Sequence, residues 1–281
     1  MVAITFFSMP KAFEGVYDTI QKNAIRSWMS HANSSVLLLG DDTGVKDFAR
    51  LIGCHHISSV NTNDLGTPLV NDIVRRASEH AITDWVAYVN ADIIIPPNLG
   101  EVINSLLPEF DGPVVFACRR WDIDITDPID FSTPSWFHKL DQSTTNLRTL
   151  YGVNGMDLFV FPKGFYNAMP PFSIGWPGAK YDNWFVWYAR HNRVPVVDIT
   201  DAITLFHQKH PPGGGATHPN KMREHTDNLK HIGGYGNCFD IRDASHRVDV
   251  DGKIRFVRMD IPYVVLTIKR MIQRLRDFFI L

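Results

Sequence analysis

Residues 85–92 have the sequence WVAYVNAD, in which an apolar run leads directly into Asn90, Ala91 and Asp92. A short apolar run that ends in polar residues is typical of a buried strand leaving the core. Asn90 and Asp92 are two residues apart and therefore point to the same side of the strand. Carboxylate oxygens suit hard divalent cations, which share them with phosphates. Asp92 is a candidate metal ligand, and a turn-forming or helix-capping role is the alternative.

Two earlier segments end in the same way as residues 85–92. Val2–Phe7 is followed by Ser8, and Val36–Leu39 is stopped by Gly40 and two aspartates. Segments with helical spacing separate these apolar runs, and repeated strand–helix–strand units predict a parallel sheet with right-handed crossovers. Ligands of such sheets bind in the crevice outside the carboxyl ends of the strands. The sequence therefore predicts an open α/β sheet with a site along that edge.

The remaining predicted elements follow from periodicity and turn residues. The helices are predicted over residues 16–29, 45–52 and 67–81, with Pro68 at or near the first turn of the last, and from Asp182 to Arg190. Further strands are predicted over residues 54–60, 114–118, 156–161, 194–198 and 202–206. The polar stretch 124–149 and the loop PPGGG at 211–215 are candidate mobile lids.

Composition excludes several classes of protein. The 281 residues are 21% charged and 12% aromatic, which argues against disorder, and a net charge of −2 gives no basis for a nucleic-acid binder. The three cysteines form neither a metal pair nor a disulfide framework. The first residues lack the layout of a signal peptide, and no apolar stretch is long enough to span a membrane. We expect reduced thiols and a cytoplasmic protein.

Histidines follow another apolar segment near the far end of the chain. Ile203–Phe206 leads into His207-Gln208-Lys209-His210. An imidazole at a strand exit can complete a metal site with Asp92 that leaves positions open for a diphosphate. His207 is the preferred ligand and His210 the alternate. Each could instead be a satisfied surface or core histidine.

Asp182 is the candidate general base. A carboxylate in a tryptophan-rich cleft can accept a proton from a sugar hydroxyl if desolvation raises its pKa; the alternative is that it caps the following helix. Trp176, Trp184 and Trp187 are candidate platforms for sugar faces, with core packing as the alternative for at least one of them. Three cations are candidate phosphate partners or else surface charges: Lys11, Arg119 and Arg120.

The end of the chain, residues 261–281, mixes apolar residues with four basic ones. It predicts a basic amphipathic helix that either contacts a membrane surface, packs on a partner or caps the core of the fold. The predicted organisation is one domain over residues 1–260 followed by this helix.

Several stretches taken together carry a resemblance to a known family. They are residues 6–11, 40–42, 66–71, 88–93, 120–122, 181–184 and 207–210. In order and spacing the chain resembles the GT-A fold of nucleotide-sugar-dependent glycosyltransferases, in particular a group of small bacterial, algal and large-virus transferases. The fold class implied is α/β, with a Rossmann-like, mixed and mainly parallel central sheet flanked by helices.

The resemblance also implies roles for individual residues. Asn90-Ala91-Asp92 stands where the family has Asp-x-Asp, so Asp92 would bind Mn²⁺ or Mg²⁺ and the diphosphate; the first acidic position is Asn here. His207 would be the distal metal ligand, and Asp182 the acceptor-activating base if the enzyme inverts configuration. The residues implied in nucleotide or donor-sugar binding are Phe7, Ser8, Met9, Pro10, Lys11, Asp41, Thr67, Asn71, Asn90, Ala91, Asp92, Arg120 and Asp157.

The implied activity is metal-assisted transfer of a hexosyl or pentosyl group from a nucleotide sugar, UDP-sugar first and GDP-sugar next, to a glycan hydroxyl. One alternative is a sugar-phosphate nucleotidyltransferase, which the glycine-free loop Ser8–Lys11 disfavours. The other is a non-catalytic carbohydrate-binding protein, which would bind glycan without nucleotide or metal. Expected partners are the donor and the acceptor, with peripheral membrane contact through residues 261–281 and no nucleic acid.

Overall fold

The computed structural model of the chain describes residues 2–174, 179–211, 220–257 and 261–280. The strands are β1 (Ile4–Ser8), β2 (Ser35–Leu39), β3 (His55–Ile57), β4 (Trp85–Val89), β5 (Ile93–Ile94), β6 (Val115–Ile123), β7 (Thr149–Leu150), β8 (Met156–Pro162), β9 (Val196–Asp198), β10 (Leu205–Gln208), β11 (His246–Val248) and β12 (Ile254–Phe256). The helices are α1 (Gly15–Met29), α2 (Val45–Ile52), α3 (Val70–His80), α4 (Leu99–Leu106), α5 (Trp136–Thr144), α6 (Tyr181–His191), α7 (Lys221–Ile232) and α8 (Ile261–Ile280).

The strands form a mixed sheet in the order β12-β11-β9-β6-β8-β4-β1-β2-β3. The strands from β4 to β3 are parallel neighbours, as are β6, β9 and β11. Strand β8 lies antiparallel between β4 and β6. This architecture confirms the predicted α/β class with a mainly parallel central sheet, and it brings the carboxyl ends of β1, β2 and β4 to one edge.

The central sheet is buried on both faces. Phe6 packs in an apolar cluster with Trp28, whereas its neighbour Phe7 packs in a second cluster with Phe161 and Phe185. Side chains alternate along a strand, so the two phenylalanines lie on opposite faces. The near-continuous apolar runs of the sequence follow from this double burial.

Strand β6 belongs to two sheets. Its first half pairs with β8 and β9, and the register shifts between Cys118 and Arg119. Its second half pairs in parallel with β10 and antiparallel with β7, and β10 also pairs with β5. The bulge therefore turns β6 out of the central sheet into a smaller one, which lies next to the end of β4.

Several predicted boundaries are wrong: β6 extends to Ile123, β3 ends at Ile57 and β9 begins at Val196, and α3 and β10 are also shifted. Helix α3 begins at Val70, because Pro68 and Leu69 are extended and form bridges to Thr62 and Ser173. The carbonyl of Pro68 accepts a hydrogen bond from the backbone N–H of Ile174 (3.0 Å), which holds the segment away from the helix. The strand predicted over residues 202–206 is β10, which is shifted along the chain so that it includes His207.

The polar stretch 124–149 contains α5, which was not predicted. Trp136 and Leu140 of this helix are buried and pack with Ile123 and Phe206 in a separate apolar cluster. The segment is thus attached to the small sheet that carries His207. Most of the other candidate lid, residues 212–215, lies outside the described residues.

Helix α8 packs on a short 3₁₀ helix, Tyr235–Asn237. The buried Asp277 carboxylate accepts a hydrogen bond from the Gly236 N–H (2.8 Å), and Arg270 forms ion pairs with Asp240 and Asp243. In the part of the chain that the structure describes, no helix is long and apolar enough to cross a membrane.

Candidate active site

Strand pairing brings Asp92 to His207. The chain passes from β4 through Asp92 into β5, and β5 pairs antiparallel with β10 so that Ile93 lies opposite His207. The backbone N–H of Gln208 donates a hydrogen bond to the carbonyl of Asp92 (3.3 Å). A register of this kind fixes the two backbones relative to each other, although Asp92 and His207 are remote in sequence.

The side chain of Gln208 stabilises the same junction. It is fully buried, and its amide N–H groups donate to the carbonyls of Ile20 (2.8 Å) and Asp92 (3.2 Å). Its amide oxygen accepts from Asn23 (2.9 Å). Gln208 therefore connects α1, β10 and the loop after β4.

Asp92, His207 and His210 form a triad whose ligand atoms all lie within 4.8 Å of one another. The Nε2 atom of His210 is 3.1 Å from Oδ2 of Asp92, and Nε2 of His207 is 3.7 Å from the same oxygen. Asp92 Oδ1 is buried and has no hydrogen-bond partner among the described residues. Both histidines therefore belong to this cluster. The sequence had left His210 as the alternate to His207.

The other ring nitrogens of the two histidines have acceptors of their own. Nδ1–H of His207 donates to Asp122 (3.0 Å), and Nδ1–H of His210 donates to the carbonyl of Pro211 (2.7 Å). These bonds leave Nε2 of each imidazole facing the Asp92 carboxylate, as an N–H donor when the ring is protonated and as a lone pair when the ring is neutral. Three electron-pair donors that converge in this way fit a divalent cation.

Electrostatics favour positive charge at this point. Burial raises the pKa of Asp92, but the hydrogen bond from His210 and the charges of His207 and Arg120 outweigh it and hold the pKa below its ordinary value. The hydrogen bond to Asp92 raises the pKa of His210 in turn. The carboxylate is thus kept ionised, as a metal ligand must be.

A second polar cluster lies beside the triad. The Asn90 amide donates to Asp157 (2.6 Å), and Arg120 forms ion pairs with Asp157 and Asp122, each at 3.1 Å. Burial raises the pKa of Asp157 despite the charge of Arg120. The guanidinium of Arg120 also lies 4.2 Å from the ring centroid of Tyr151. Arg120 therefore joins Asp122, and through it His207, to Asn90 and Asp157.

Asp182 is the second residue of α6, whose N-cap is Lys180, so it is not the N-cap residue of that helix. Its carboxylate accepts a hydrogen bond from the N–H of Asn183 (2.8 Å). Burial, with a further contribution from the charge of Asp157, raises the pKa of Asp182 to about 6. The preceding Tyr181 accepts a hydrogen bond from Tyr88 (3.0 Å), which anchors the start of α6 to β4.

Lys11 lies on the other side of the triad. Its amine is 4.7 Å from the ring centroid of Tyr17, and the Tyr17 hydroxyl is 3.3 Å from His210 Nδ1. Gln21 donates to the Lys11 carbonyl and accepts from the Lys11 N–H, at 2.9 and 2.7 Å. The loop after β1 is thus held on α1 with an exposed cation near the triad.

Sequence reasoning missed two residues of the site, Asp122 and Tyr17. Asp122 is two residues after Arg120 and so lies on the same face of β6, a signal that the sequence carried. Tyr17 has no such signal, because its contact with His210 depends on where α1 packs.

Other predicted site residues lie nearby without joining the triad. Phe7 and Ser8 are buried at the end of β1, so the side chain of Phe7 is enclosed by protein. Asp41 follows β2 and is exposed. Thr67 and Asn71 flank the start of α3, and the buried Oδ1 atom of Asn71 has no partner among the described residues. Met9, Pro10 and Ala91 lie in the loops after β1 and β4.

Of the candidate platform tryptophans that the structure describes, one packs in the core and the other lies next to α8. Trp184 is buried and stacks on Tyr188 with ring centroids 4.5 Å apart, because it lies on the inner face of α6. Trp187 stacks on His191 (4.8 Å) and lines a cavity next to α8. Trp176 lies outside the described residues. Arg119 donates to the carbonyl of Tyr151 (3.3 Å).

The fold is similar to that of solved structures. The TarS fragment 1–349 of S. aureus in complex with UDP-GlcNAc is 14% identical with a TM-score of 0.50, covering 83% of this chain and 66% of the fragment. TarS has the GT-A fold. This chain has the GT-A fold. It thus spans about two thirds of the TarS fragment.

Two further GT-A structures are more distant. The M. tuberculosis glucosyl-3-phosphoglycerate synthase is 13% identical, with a TM-score of 0.47 and coverage of 83% of this chain and 81% of that one. The mannosyltransferase PcManGT of Pyrobaculum calidifontis, in complex with GDP-Man and Mn²⁺, is 12% identical, with a TM-score of 0.47 and coverage of 82% and 62%. No family model matches the chain, and no curated protein matches it by sequence.

Proposed function

We propose that the protein is a glycosyltransferase that moves a sugar from a nucleoside-diphosphate sugar to a hydroxyl group of a glycan acceptor. The observation that carries this proposal is the convergence of Asp92, His207 and His210 beside the carboxyl ends of β1 and β4 in a GT-A fold. Ligands of open α/β sheets bind at this edge. A cation held by these three ligands would keep further coordination positions for the phosphates of a donor.

Asp92, His207 and His210 would hold a divalent cation, Mn²⁺ or Mg²⁺. When bound, such an ion supplies Lewis-acid stabilisation of the negative charge on a departing nucleoside diphosphate. Two imidazole nitrogens suit a transition-metal ion better than Mg²⁺, so we expect Mn²⁺ to bind more tightly. Lys11 is exposed beside the triad and is our candidate partner for the diphosphate.

The donor would extend from the loop after β1 across to α6. In this arrangement the segment Phe7–Pro10 and Asp41 hold the base and ribose, and Thr67 and Asn71 line the donor. Asn90 and Asp157 lie on the sugar side of the triad. Because TarS shares the fold and is in complex with UDP-GlcNAc, a UDP-sugar is our first choice of donor, with a GDP-sugar next.

Asp182 would act as the base of an inverting reaction. It takes the proton of the acceptor hydroxyl as that oxygen forms a bond to the anomeric carbon, and the bond to the diphosphate breaks. A pKa raised to about 6 suits this role near neutral pH, because the carboxylate is ionised yet basic enough to accept a proton.

A thermal-shift panel of UDP, GDP, CDP and dTDP, each with and without Mn²⁺, tests the proposal. A ligand that binds only the folded state raises the midpoint of unfolding. We expect one nucleotide to raise it and Mn²⁺ to increase the effect, and Asp92→Asn to remove the Mn²⁺ contribution. Asp201→Asn is the matched control, because Asp201 is exposed and makes no described polar contact. A panel without any shift would refute the donor site.

Product analysis separates the alternatives. A glycosyltransferase releases a nucleoside diphosphate from donor and acceptor, whereas a nucleotidyltransferase releases pyrophosphate from a nucleoside triphosphate and a sugar phosphate. A carbohydrate-binding protein would bind glycan without nucleotide or metal and release neither product.

A further inference from the structure

One face of α8 is apolar and exposed. Its large side chains there are 39–65% accessible to solvent. They are Val264, Val265, Ile268, Met271, Ile272 and Leu275, which we call the outer stripe. With 3.6 residues per turn these positions fall on a single face of the helix, more than two turns long. Contiguous apolar surface of this extent marks an interaction site.

The opposite face of α8 attaches the helix to the rest of the protein. Asp277 is buried and accepts from Gly236 N–H, and Arg270 pairs with Asp240 and Asp243. Arg274 donates to Asn237 (2.8 Å). The outer stripe is therefore held outward by a polar docking face, and it does not contribute to the core.

Basic residues border the outer stripe. Lys269 and Arg276 are exposed and lie along one of its edges, at the helical positions next to Val265 and Ile272. The single acid of α8, Asp277, faces inward. On the docking side, Arg190, Arg270 and Arg274 line a cavity of about 280 Å³ between α6 and α8. One edge of the stripe is thus positively charged through Lys269 and Arg276, whereas on the docking side Asp240 and Asp243 neutralise Arg270.

We propose that the outer stripe lies in the surface of an anionic phospholipid bilayer, with the axis of α8 parallel to the membrane plane. A helix of 20 residues is about 30 Å long, and it would insert its apolar side chains to the level of the acyl chains. Lys269 and Arg276 then meet lipid phosphates at the headgroup level. The two requirements of an interfacial helix, an apolar face and cationic borders, are both present.

The charge pattern favours a membrane over a second copy of this chain. Two outer stripes packed together would bring Lys269 and Arg276 of both copies to one interface, and the stripe carries no acid to pair with them. Like charges at such borders oppose association, whereas anionic lipids neutralise them.

Co-sedimentation of the full chain with vesicles tests this proposal. We expect binding to phosphatidylcholine vesicles that contain phosphatidylglycerol, and at least roughly tenfold weaker binding of the double variant Ile268→Asp/Leu275→Asp, because burial of two large apolar side chains is lost. The matched control is Ile82→Asp, since Ile82 is exposed but lies far from α8 in the chain, between α3 and β4. Unchanged thermal unfolding midpoints establish that the variants are folded.

A second arm tests the basic borders. The variant Lys269→Glu/Arg276→Glu should lose the preference for phosphatidylglycerol over pure phosphatidylcholine, and raised salt should weaken binding of the parent chain. Absence of vesicle binding, or equal loss in the Ile82→Asp control, would overturn the proposal. A dimer in sedimentation velocity that the variant Ile268→Asp/Leu275→Asp converts to a monomer would also overturn the proposal, because the outer stripe would then be a contact between two copies of the chain.

Discussion

Asp182 combines burial with a position beside the polar cluster of Asp157, and its pKa of about 6 gives a direct kinetic prediction. If Asp182 is the base, the rate of sugar transfer rises with pH through about 6 and is constant above it, because only the ionised carboxylate accepts a proton. Asp182→Asn should lower turnover by roughly 10²–10⁴-fold. Initial rates of product formation between pH 5 and 8 measure both effects.

Asp201→Asn provides the control for this variant, and nucleotide binding to both should match the parent chain. Near-normal turnover of Asp182→Asn would remove the residue from the base role. A retaining reaction, in which Asp182 only binds the acceptor, would predict that outcome.

Asp122 acts through His207. Its carboxylate accepts from His207 Nδ1–H and from Arg120, so it orients the imidazole toward Asp92 without being one of the candidate metal ligands itself. Loss of such an orienting partner typically weakens metal binding 10–100-fold. We expect Asp122→Asn to weaken Mn²⁺ affinity by about that factor, measured by calorimetric titration.

The control for Asp122 is Asp124→Asn, two residues further along the chain and exposed. Equal Mn²⁺ affinity in the two variants would mean that Asp122 has no positioning role.

Among the elements, α8 depends on a close approach to Gly236. A Cβ atom added at Gly236 would lie 2.7 Å from the backbone nitrogen of Arg274 and 3.0 Å from the carbonyl of Arg270, and backbone cannot yield as a flexible side chain can. We expect Gly236→Ala to lower the free energy of unfolding by ~1–3 kcal/mol and to loosen α8. Hydrogen exchange of residues 261–280 measures the loosening.

Gly112→Ala is a suitable control, because a Cβ atom at Gly112 meets nothing within 4 Å. If exchange in α8 rises equally in both variants, the contact at Gly236 does not hold the helix.

Elements with strong local signals were predictable. Helix α2 was predicted at the bounds that the structure has, since Gly53 adopts the left-handed conformation that ends it (φ 74°). The start of α3 was not predictable, because the extended path of Pro68 and Leu69 depends on a bridge to Ser173, about a hundred residues away. The spacing of apolar residues indicates which side chains are buried, but it does not indicate which distant residue a segment pairs with.

The same distinction applies to the site. Asp92 and His207 carried a signal because each follows an apolar run, and the parallel order of β1, β2 and β4 could be inferred. His210 carried the same signal, although only as the alternate to His207. The contact of Tyr17 with His210 could not be predicted, because it depends on the packing of α1 against the end of β10. The core position of Trp184 was not predictable either, because it depends on which face of α6 packs against the sheet.

At the level of the whole molecule, His31 sets a limit on acid stability. It is 6% exposed beside Phe6, its Nε2 atom has no partner among the described residues, and burial lowers its pKa to about 4. In the unfolded chain His31 binds a proton with its ordinary pKa of 6.5. Protonation therefore favours unfolding: the free energy of unfolding is at its full value above pH 6.5 and decreases as the pH falls toward 4. At pH 5 the free energy of unfolding is lower by about 2 kcal/mol.

His31→Phe should therefore unfold with nearly the parent free energy at pH 7 and be more stable than the parent at pH 5. Urea denaturation at the two pH values gives the difference. An equal acid loss in the parent and the variant would assign the sensitivity to other groups.

Asp92 and His210 are separated by 118 residues, and β10 joins them only by pairing with β5 and β6. A nascent chain must therefore extend beyond His210 before the triad exists. Contacts between such distant segments form slowly, because closing a long loop costs entropy before any contact is gained. A refolding chain should accordingly collapse around β1, β2 and β4 first and acquire metal affinity last, which makes Mn²⁺ binding a reporter of the final step of folding.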